Sequence, residues 1–225
     1  MSITHSNTGT VIIGSGMAGW GVAKALRALD ASTSITIVSA DDAHVYSKPM
    51  LSNALALKKQ PEQLIQSTGV AMAAQLNLTL HSSTTVTRVN REAKNIETNK
   101  GVIEYSQLVL ALGAQAIRLP MTGSEHVLSV NNLTDYANFR KSLPAGGVVA
   151  LLGGGLIGSE FANDLATSGH IVHVIDPSPW PIGNLITEEH GVGLQAALEG
   201  LTMSAWGRKW LIAALEFIKS TDKAS

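Results

Sequence analysis

An α/β fold containing two strand–turn–helix–strand units, the second of them incomplete, is what the sequence predicts. Three observations carry the prediction: a repeated apolar pattern, a glycine-rich turn at the same place in each copy, and strands that are apolar throughout rather than alternating. In the first copy Thr10-Val11-Ile12-Ile13 precedes the turn, Ala23 to Leu29 follow at helical spacing, and Ser34-Ile35-Thr36-Ile37-Val38 closes the unit. In the second, Val148-Val149-Ala150-Leu151-Leu152 leads into a turn, then Phe161 to Ala166, then Ile171-Val172-His173-Val174-Ile175. Continuous apolar strands flanking a helix suit a parallel sheet covered on both faces. The right-handed crossover sets the two strands of each unit side by side.

Between the copies the pattern changes. Val70 to Gln75 reads as a helix, and Leu78 to Leu80 and Thr84 to Val89 as short strands. Gly101 to Tyr105 alternates, Gln107 to Leu112 is a further buried strand, and Leu133 to Leu143 is helical, with Pro144-Ala145-Gly146-Gly147 as its stop. Pro120 and Gly123 bracket a composition change. The expected division is therefore a first domain over residues 1–121, a partial second domain over 122–201 and a tail over 202–225.

Composition narrows the function classes. The chain has 225 residues, 45% of them hydrophobic, enough for one large core or two small ones. A formal net charge of −1 gives no field toward nucleic acid or an anionic membrane, and Lys58-Lys59 is only a pair. The chain has no cysteine, so it offers no disulfide, thiolate metal site or catalytic thiol. Met1 to Thr10 lacks a secretory pattern, and no stretch reaches a membrane span free of glycine and charge. A soluble cytoplasmic protein without nucleic-acid or membrane partners is expected. His170 and His173, three apart on a strand, face opposite sides, and no metal-binding motif appears, so no metal is expected. The oligomeric state stays open.

The glycine turns carry the chemistry. Gly14-Ser15-Gly16-Met17-Ala18-Gly19 and Gly153-Gly154-Gly155-Leu156-Ile157-Gly158 are both GxGxxG, each directly after a strand and opening a helix. The first glycine allows the tight turn, the second lets backbone approach a pyrophosphate, and the third lets helix pack on strand. The helix N-terminus offers free N–H donors and a positive dipole end. One such turn can serve purely steric ends; two in Rossmann-like βαβ units point to two nucleotides. Asp176 ends the second strand of the later unit, at the spacing where a carboxylate accepts from a ribose 2′-OH and repels a 2′-phosphate, which favours NAD over NADP. The alternative role for Asp176 is a turn residue before Pro177. In the first unit the same position is Ser39, and the acid comes two residues later as Asp41.

Further stretches resemble one family, the rubredoxin reductases among FAD- and NADH-using flavoprotein reductases. Tyr46-Ser47-Lys48-Pro49-Met50-Leu51-Ser52 is similar to that family's flavin-facing segment, which implies that Lys48 and Pro49 lie along the flavin ring. Thr84-Thr85-Val86-Thr87-Arg88-Val89-Asn90 resembles its adenine-contacting strand, with Val86 at the contact. Tyr105 to Pro120, with Ala111, Gly113 and Arg118, resembles the segment that closes the FAD site, although Leu112 replaces a threonine. Gly158-Ser159-Glu160-Phe161-Ala162-Asn163-Asp164-Leu165 is similar to GxEFANDL, which puts Glu160 near the flavin and nicotinamide rings. The similarity runs from about Val11 to Leu201, and no family motif follows in the tail, where Leu211 to Phe217 could form a short helix.

The resemblance implies two cofactors, FAD and NAD(H), and a reductase that passes electrons from NADH to a small carrier protein, rubredoxin, in alkane hydroxylation. FAD falls to Gly14, Ser15, Gly16, Met17, Ala18, Gly19, Ser39, Asp41, Lys48, Pro49, Val86, Ala111, Gly113 and Arg118. NADH falls to Gly153, Gly155, Leu156, Ile157, Gly158, Glu160 and Asp176, with Lys48 and Glu160 closest to the chemistry. The alternatives are a reductase for a ferredoxin or a nitrite-reducing centre, and a non-catalytic nucleotide-binding fragment left by truncation.

Overall fold

Apolar runs without alternation become strands buried at every position: β1 (Thr10–Ile13) and, after helix α1 (Met17–Leu29), β2 (Ile35–Val38). The structure is a computed structural model that describes residues 9–199 and 203–206. β3 (Val45–Tyr46) pairs antiparallel with β4 (Ile65–Ser67), followed by α2 (Gly69–Gln75) and β5 (Thr79–His81). An antiparallel meander of β6 (Val86–Asn90), β7 (Asn95–Thr98) and β8 (Gly101–Glu104) leads to β9 (Gln107–Leu110). Strands β5, β2, β1 and β9 form one parallel sheet in that order.

The two faces of this sheet are separated by the strand period of two. Ile12, Ile35 and Ile37 face α1 and α2, packing with Trp20, Ala23, Met72 and Ala73. Val11, Ile13 and Val38 face the other way, onto Ile96, Ile103 and Tyr105 of the meander region. Each fully buried Ile or Val contributes roughly 1.5–3 kcal/mol. One cover is helical, as the apolar strands led one to expect; the other is an antiparallel sheet. Trp20 serves the helix–sheet packing, 3% exposed, and its indole N–H donates to the Ala43 carbonyl at 3.3 Å.

The later unit begins with α3 (Leu133–Ser142), whose Asn132 side chain caps it by accepting the Asp135 N–H at 2.8 Å. Then come β10 (Val148–Leu152), α4 (Leu156–Thr167), β11 (Ile171–Asp176), α5 (Glu188–Glu199) and β12 (Met203–Trp206). β10, β11 and β12 form a parallel sheet. Ala162 and Leu165 of α4 pack on Val172 and Val174, with Phe139 and Leu143 of the α3 region against them.

Contacts divide the described residues into two units. One runs up to Lys48 and over Glu62–Val127; the other takes Pro49–Pro61 and the residues from Leu128 onward. A linear division near residue 121 does not foresee this excursion, because nothing in the composition of 49–61 marks it as packing with later residues. Two further differences stand out. β9 stops at Leu110 rather than Leu112: the Ala111 N–H makes the last ladder bond, to the Ile13 carbonyl at 2.8 Å, and Gly113 then turns away with φ +68°. A third parallel strand, β12, forms at Met203–Trp206, inside the expected tail. The expected helix over Leu211 to Phe217 lies outside the described residues.

Arg27 ties the C-terminal ends of α1 and α2 together. Its guanidinium donates to the carbonyls of Leu76 (2.7 Å), Asn77 (2.9 Å), Asp30 (3.1 Å) and Ala31 (2.7 Å). A planar fork can reach four carbonyls where an ammonium cannot. Arg27→Ala is expected to cost about 1–3 kcal/mol in urea unfolding, and Arg27→Lys to recover less than half of that. A lysine variant as stable as wild type would show that charge alone suffices.

Candidate functional site

The two glycine turns are geometric duplicates. Gly14 and Gly153 have φ of +106° and +108°, a region that side-chain-bearing residues rarely adopt. Their N–H groups donate to the carbonyls at the ends of the second strands: Gly14 to Val38 at 2.8 Å, Gly153 to Ile175 at 2.9 Å. Gly19 and Gly158 are required by packing, since a Cβ at either would lie 1.9 Å from the carbonyl oxygen of Gly14 or Gly153. At Gly14 a Cβ would also meet the Ala111 carbonyl oxygen at 2.1 Å, so Ala111 buttresses the first turn.

The middle glycines are different. Gly16 and Gly155 are the N-cap residues of α1 and α4, with φ −72° and −68°, ordinary extended backbone. A Cβ at either would meet nothing within 4 Å. Neither conformation nor internal packing requires glycine there. Neither helix has a side-chain cap or an acid in its first turn, so the donors of Met17, Ala18 and Gly19, and of Leu156, Ile157 and Gly158, keep the helix-end N–H groups that have no intrahelical acceptor. A bare backbone edge of this kind, at the positive end of the helix dipole, fits a phosphate.

The acids beside the turns reach them in two ways. In the first unit the Ser39 hydroxyl donates to Asp41 Oδ1 at 2.5 Å, and Ser15 Oγ lies 2.6 Å from Ser39 Oγ and 3.2 Å from Asp41 Oδ1. Each hydroxyl has one proton, so with Ser39 donating to Asp41, Ser15 donates into the same pair. The Ala43 N–H also donates to Asp41 Oδ1, at 3.0 Å. Asp41 is exposed while Ser15 and Ser39 are buried, and Oδ2 of Asp41 accepts no hydrogen bond among the described residues. In the second unit Asp176 is buried, its Oδ2 accepts the Gly154 N–H at 2.5 Å, and its Oδ1 accepts the Ser178 N–H at 2.7 Å. One oxygen thus grips the glycine turn itself.

The remaining sequence-derived positions are scattered across both units. Val86 lies on β6 and packs against the meander-side core. Gly113 and Arg118 fall in an exposed stretch after β9, and Arg118 makes no hydrogen bond or ion pair among the described residues. Lys48 and Pro49 are the exposed start of a one-turn 3-10 segment whose end, Leu51 and Ser52, is buried. Glu160, on α4, accepts the Ser52 hydroxyl through Oε2 at 2.6 Å.

Sequence reasoning passed over Asp164. It is 1% exposed on α4, and its two oxygens accept the N–H groups of Ala56 (Oδ1, 2.7 Å) and Leu55 (Oδ2, 3.1 Å). Arg140 completes the arrangement by donating to the Lys59 carbonyl at 2.9 Å and to the Tyr136 hydroxyl at 3.0 Å. The available signal was an acid one turn beyond Glu160, between the core residues Phe161, Ala162 and Leu165: a charge there needs built-in partners.

Burial pushes the Asp164 carboxyl above its ordinary range, outweighing the two amide donors and Arg140, which pull it down. The folded state therefore binds this proton more tightly than the unfolded chain. The associated stability is fully present below the unfolded carboxylate pKa, near about 4, and is lost as pH rises through the folded value. Relative to Asp164→Asn, which cannot titrate, wild type should lose stability as pH is raised from roughly 4 to 7, read from paired urea midpoints; an unchanged difference would show that the carboxyl is not displaced.

The glycines separate by a second measurement. Gly19→Ala and Gly158→Ala should each cost about 1–3 kcal/mol, since backbone must shift. Gly16→Ala and Gly155→Ala should cost under about 1 kcal/mol, the ordinary N-cap difference. Thermal unfolding of the four variants checks this, and equal losses would mean that the middle glycines are structural.

Comparison with known proteins agrees with this geometry. The sequence profile described as pyridine nucleotide-disulphide oxidoreductase matches residues 8–202. The chain is 44% identical over 197 residues to a rubredoxin-NAD(+) reductase of Acinetobacter baylyi, covering 84% of this chain and 50% of that protein. It is 38% identical over 190 residues to a nitric oxide reductase FlRd-NAD(+) reductase of Vibrio vulnificus, covering 84% of this chain and 50% of that one. Among solved structures, the reductase of a covalent putidaredoxin reductase–putidaredoxin complex superposes with a TM-score of 0.80 at 27% identity, covering 90% of this chain and 50% of the other. An NADH:rubredoxin oxidoreductase from Clostridium acetobutylicum, with a TM-score of 0.75 at 20% identity, covering 90% of this chain and 53% of that one, shares the fold. The chain spans about half the length of the curated relatives it matches. With the profile matched over most of its length and both glycine turns built as the profile's fold demands, the chain belongs to the pyridine nucleotide-disulphide oxidoreductase family.

Proposed function

We propose that the chain is the nucleotide-binding portion of an FAD flavoprotein that takes electrons from NADH and hands them to a small carrier protein. The observation that carries this is the pair Gly16 and Gly155: glycine where neither backbone angle nor packing asks for it, at two uncapped helix ends. A requirement that does not come from the protein points to close approach by a ligand.

In this assignment Gly14, Ser15, Gly16, Met17, Ala18 and Gly19 cradle the FAD pyrophosphate. Asp41, held by Ser39 and Ser15, offers Oδ2 to the adenosine ribose. Val86 takes the adenine, Ala111 and Gly113 close the site, Arg118 adds a cation, and Lys48 and Pro49 face the flavin. Gly153, Gly155, Leu156, Ile157 and Gly158 hold NADH. Asp176 spends one lone pair of each oxygen on a backbone N–H, which leaves capacity for ribose hydroxyls and keeps a negative charge where a 2′-phosphate would sit. Glu160, fixed by Ser52, and Lys48 are the polar groups nearest the chemistry. When bound, NADH supplies a hydride to FAD, and FAD releases the electrons onward; the protein's share is to bind, orient and neutralise. The chain carries no cysteine, so it has no dithiol of its own to serve as an intermediate.

For the carrier we favour rubredoxin, on the 44% identity to the Acinetobacter baylyi rubredoxin-NAD(+) reductase; the assignment to alkane hydroxylation rests on the sequence resemblance alone. A ferredoxin-type carrier is the second assignment, favoured by the putidaredoxin reductase neighbour. No helix among the described residues is long and apolar enough to cross a membrane, and we assign the reaction to the cytoplasm.

The test is direct. The purified chain supplied with FAD should stay yellow through gel filtration and be bleached by NADH faster than by NADPH. Gly16→Ala should lose the colour; Gly155→Ala should keep it but respond poorly to NADH. A colourless wild-type protein would overturn the proposal. Equal bleaching by NADPH would remove the role given to Asp176. Equal rates with purified ferredoxin and rubredoxin would remove the preferred carrier.

A further inference from the structure

The excursion Pro49–Pro61 packs with the later unit, and the contacts that hold it there converge on one helix. Glu160 and Asp164 sit one turn apart on α4 and therefore on one face. Glu160 accepts the Ser52 hydroxyl at 2.6 Å. Asp164 accepts two successive backbone N–H groups, of Leu55 and Ala56. The Leu55 side chain packs with Ala162 and Leu165 of the same helix. The same helix opens at the second glycine turn, with Gly155 as its N-cap.

Two successive amides on one buried carboxylate make a stiff joint. The bonds are charge-assisted, so each is stronger than a neutral one. Both oxygens are used, which fixes the direction of the backbone as well as its distance. An Asp 1% exposed inside an apolar helix face would be costly without these donors. The segment in turn gains acceptors for N–H groups that its own irregular backbone does not satisfy.

We propose that Asp164 is a positioning residue that couples occupancy of the second glycine turn to the order of the Pro49–Pro61 segment. This rests on the assignment of that turn to NADH. A pyrophosphate on the free donors of Leu156 to Gly158 stabilises the start of α4; a stiffer α4 holds Asp164, and Asp164 holds Leu55 and Ala56.

Amide hydrogen exchange on the full chain tests this, with NADH alone as the probe. In wild type, NADH should slow exchange at Leu156 to Gly158 and also at Leu55 and Ala56. In Asp164→Asn the Leu55 and Ala56 amides should exchange roughly tenfold faster, the loss expected of a charge-assisted hydrogen bond. They should no longer respond to NADH, although Leu156 to Gly158 still do. Amides of Val172 and Val174 report the fold; if they too lose protection, Asp164 is a general stability residue and the inference fails. If Leu55 and Ala56 respond to NADH equally in wild type and variant, or in neither while the turn responds, the coupling is refuted and the NADH assignment survives. If NADH slows nothing at Leu156 to Gly158, the NADH assignment itself falls, and this inference with it.

Discussion

Two helix ends with unspent N–H donors are the constraint around which this chain is arranged. A helix N-terminus ordinarily satisfies its first donors with a Ser, Thr, Asp or Asn cap, as α2 and α3 do here with Thr68 and Asn132. Helices α1 and α4 begin instead on glycine, with no side chain bonded to their ends. The rest of each turn serves to hold that end open. Gly14 and Gly153 reverse the chain, the carbonyls of Val38 and Ile175 pin the reversal to the neighbouring strand, and Gly19 and Gly158 let the helix come down onto the turn. The parallel sheet matters because it puts the end of the second strand beside the turn after the first. Without that pairing neither Ser39 nor Asp176 would be near a glycine.

The two units solve the acid's placement differently. Asp176 takes the strand-end position and is buried, bonded to the turn through Gly154. In the first unit the strand ends on Ser39, and the exposed Asp41 is drawn back by two buried hydroxyls and the Ala43 amide. All three donors converge on one oxygen of Asp41, leaving the other outward. The relay costs a longer path but brings a carboxylate oxygen close to Ser15 of the turn while Asp41 itself stays exposed.

Much of this was legible beforehand, because the relevant signals are local. The strand–turn–helix spacing around Gly14, its repeat around Gly153 and the apolar continuity of Val11 to Ile13 are each read within one short stretch of chain. What was not legible depends on distant partners. β7, at Asn95–Thr98, has too little apolar content to announce itself and becomes a strand because β6 and β8 flank it. α5, by contrast, opens directly after Thr187 with Glu188 and Glu189 in its first turn, a local start signal that the sequence reading left unused. β12 pairs with β11 at Met203–Trp206, a stretch in which the sequence reading found no motif of the family the chain resembles. Asp164 belongs to the same class: its meaning lies in Leu55 and Ala56, more than a hundred residues earlier along the chain.

The excursion gives the clearest case of a residue pattern acquiring sense only from the fold. Read along the chain, Ser52 to Lys59 is a polar and apolar mixture without period. Set against α4, each feature finds a partner: the Ser52 hydroxyl on Glu160, two amides on Asp164, the Leu55 side chain in the core, and the Lys59 carbonyl on Arg140. Three of these four are hydrogen bonds with acidic or basic side chains, which are stronger than neutral ones when the side chain is charged. A surface loop has no use for so many directed bonds, since water would satisfy the same backbone groups at lower entropic cost. The arrangement is one that fixes a segment's position, and the helix chosen to fix it is the helix that begins at a glycine turn.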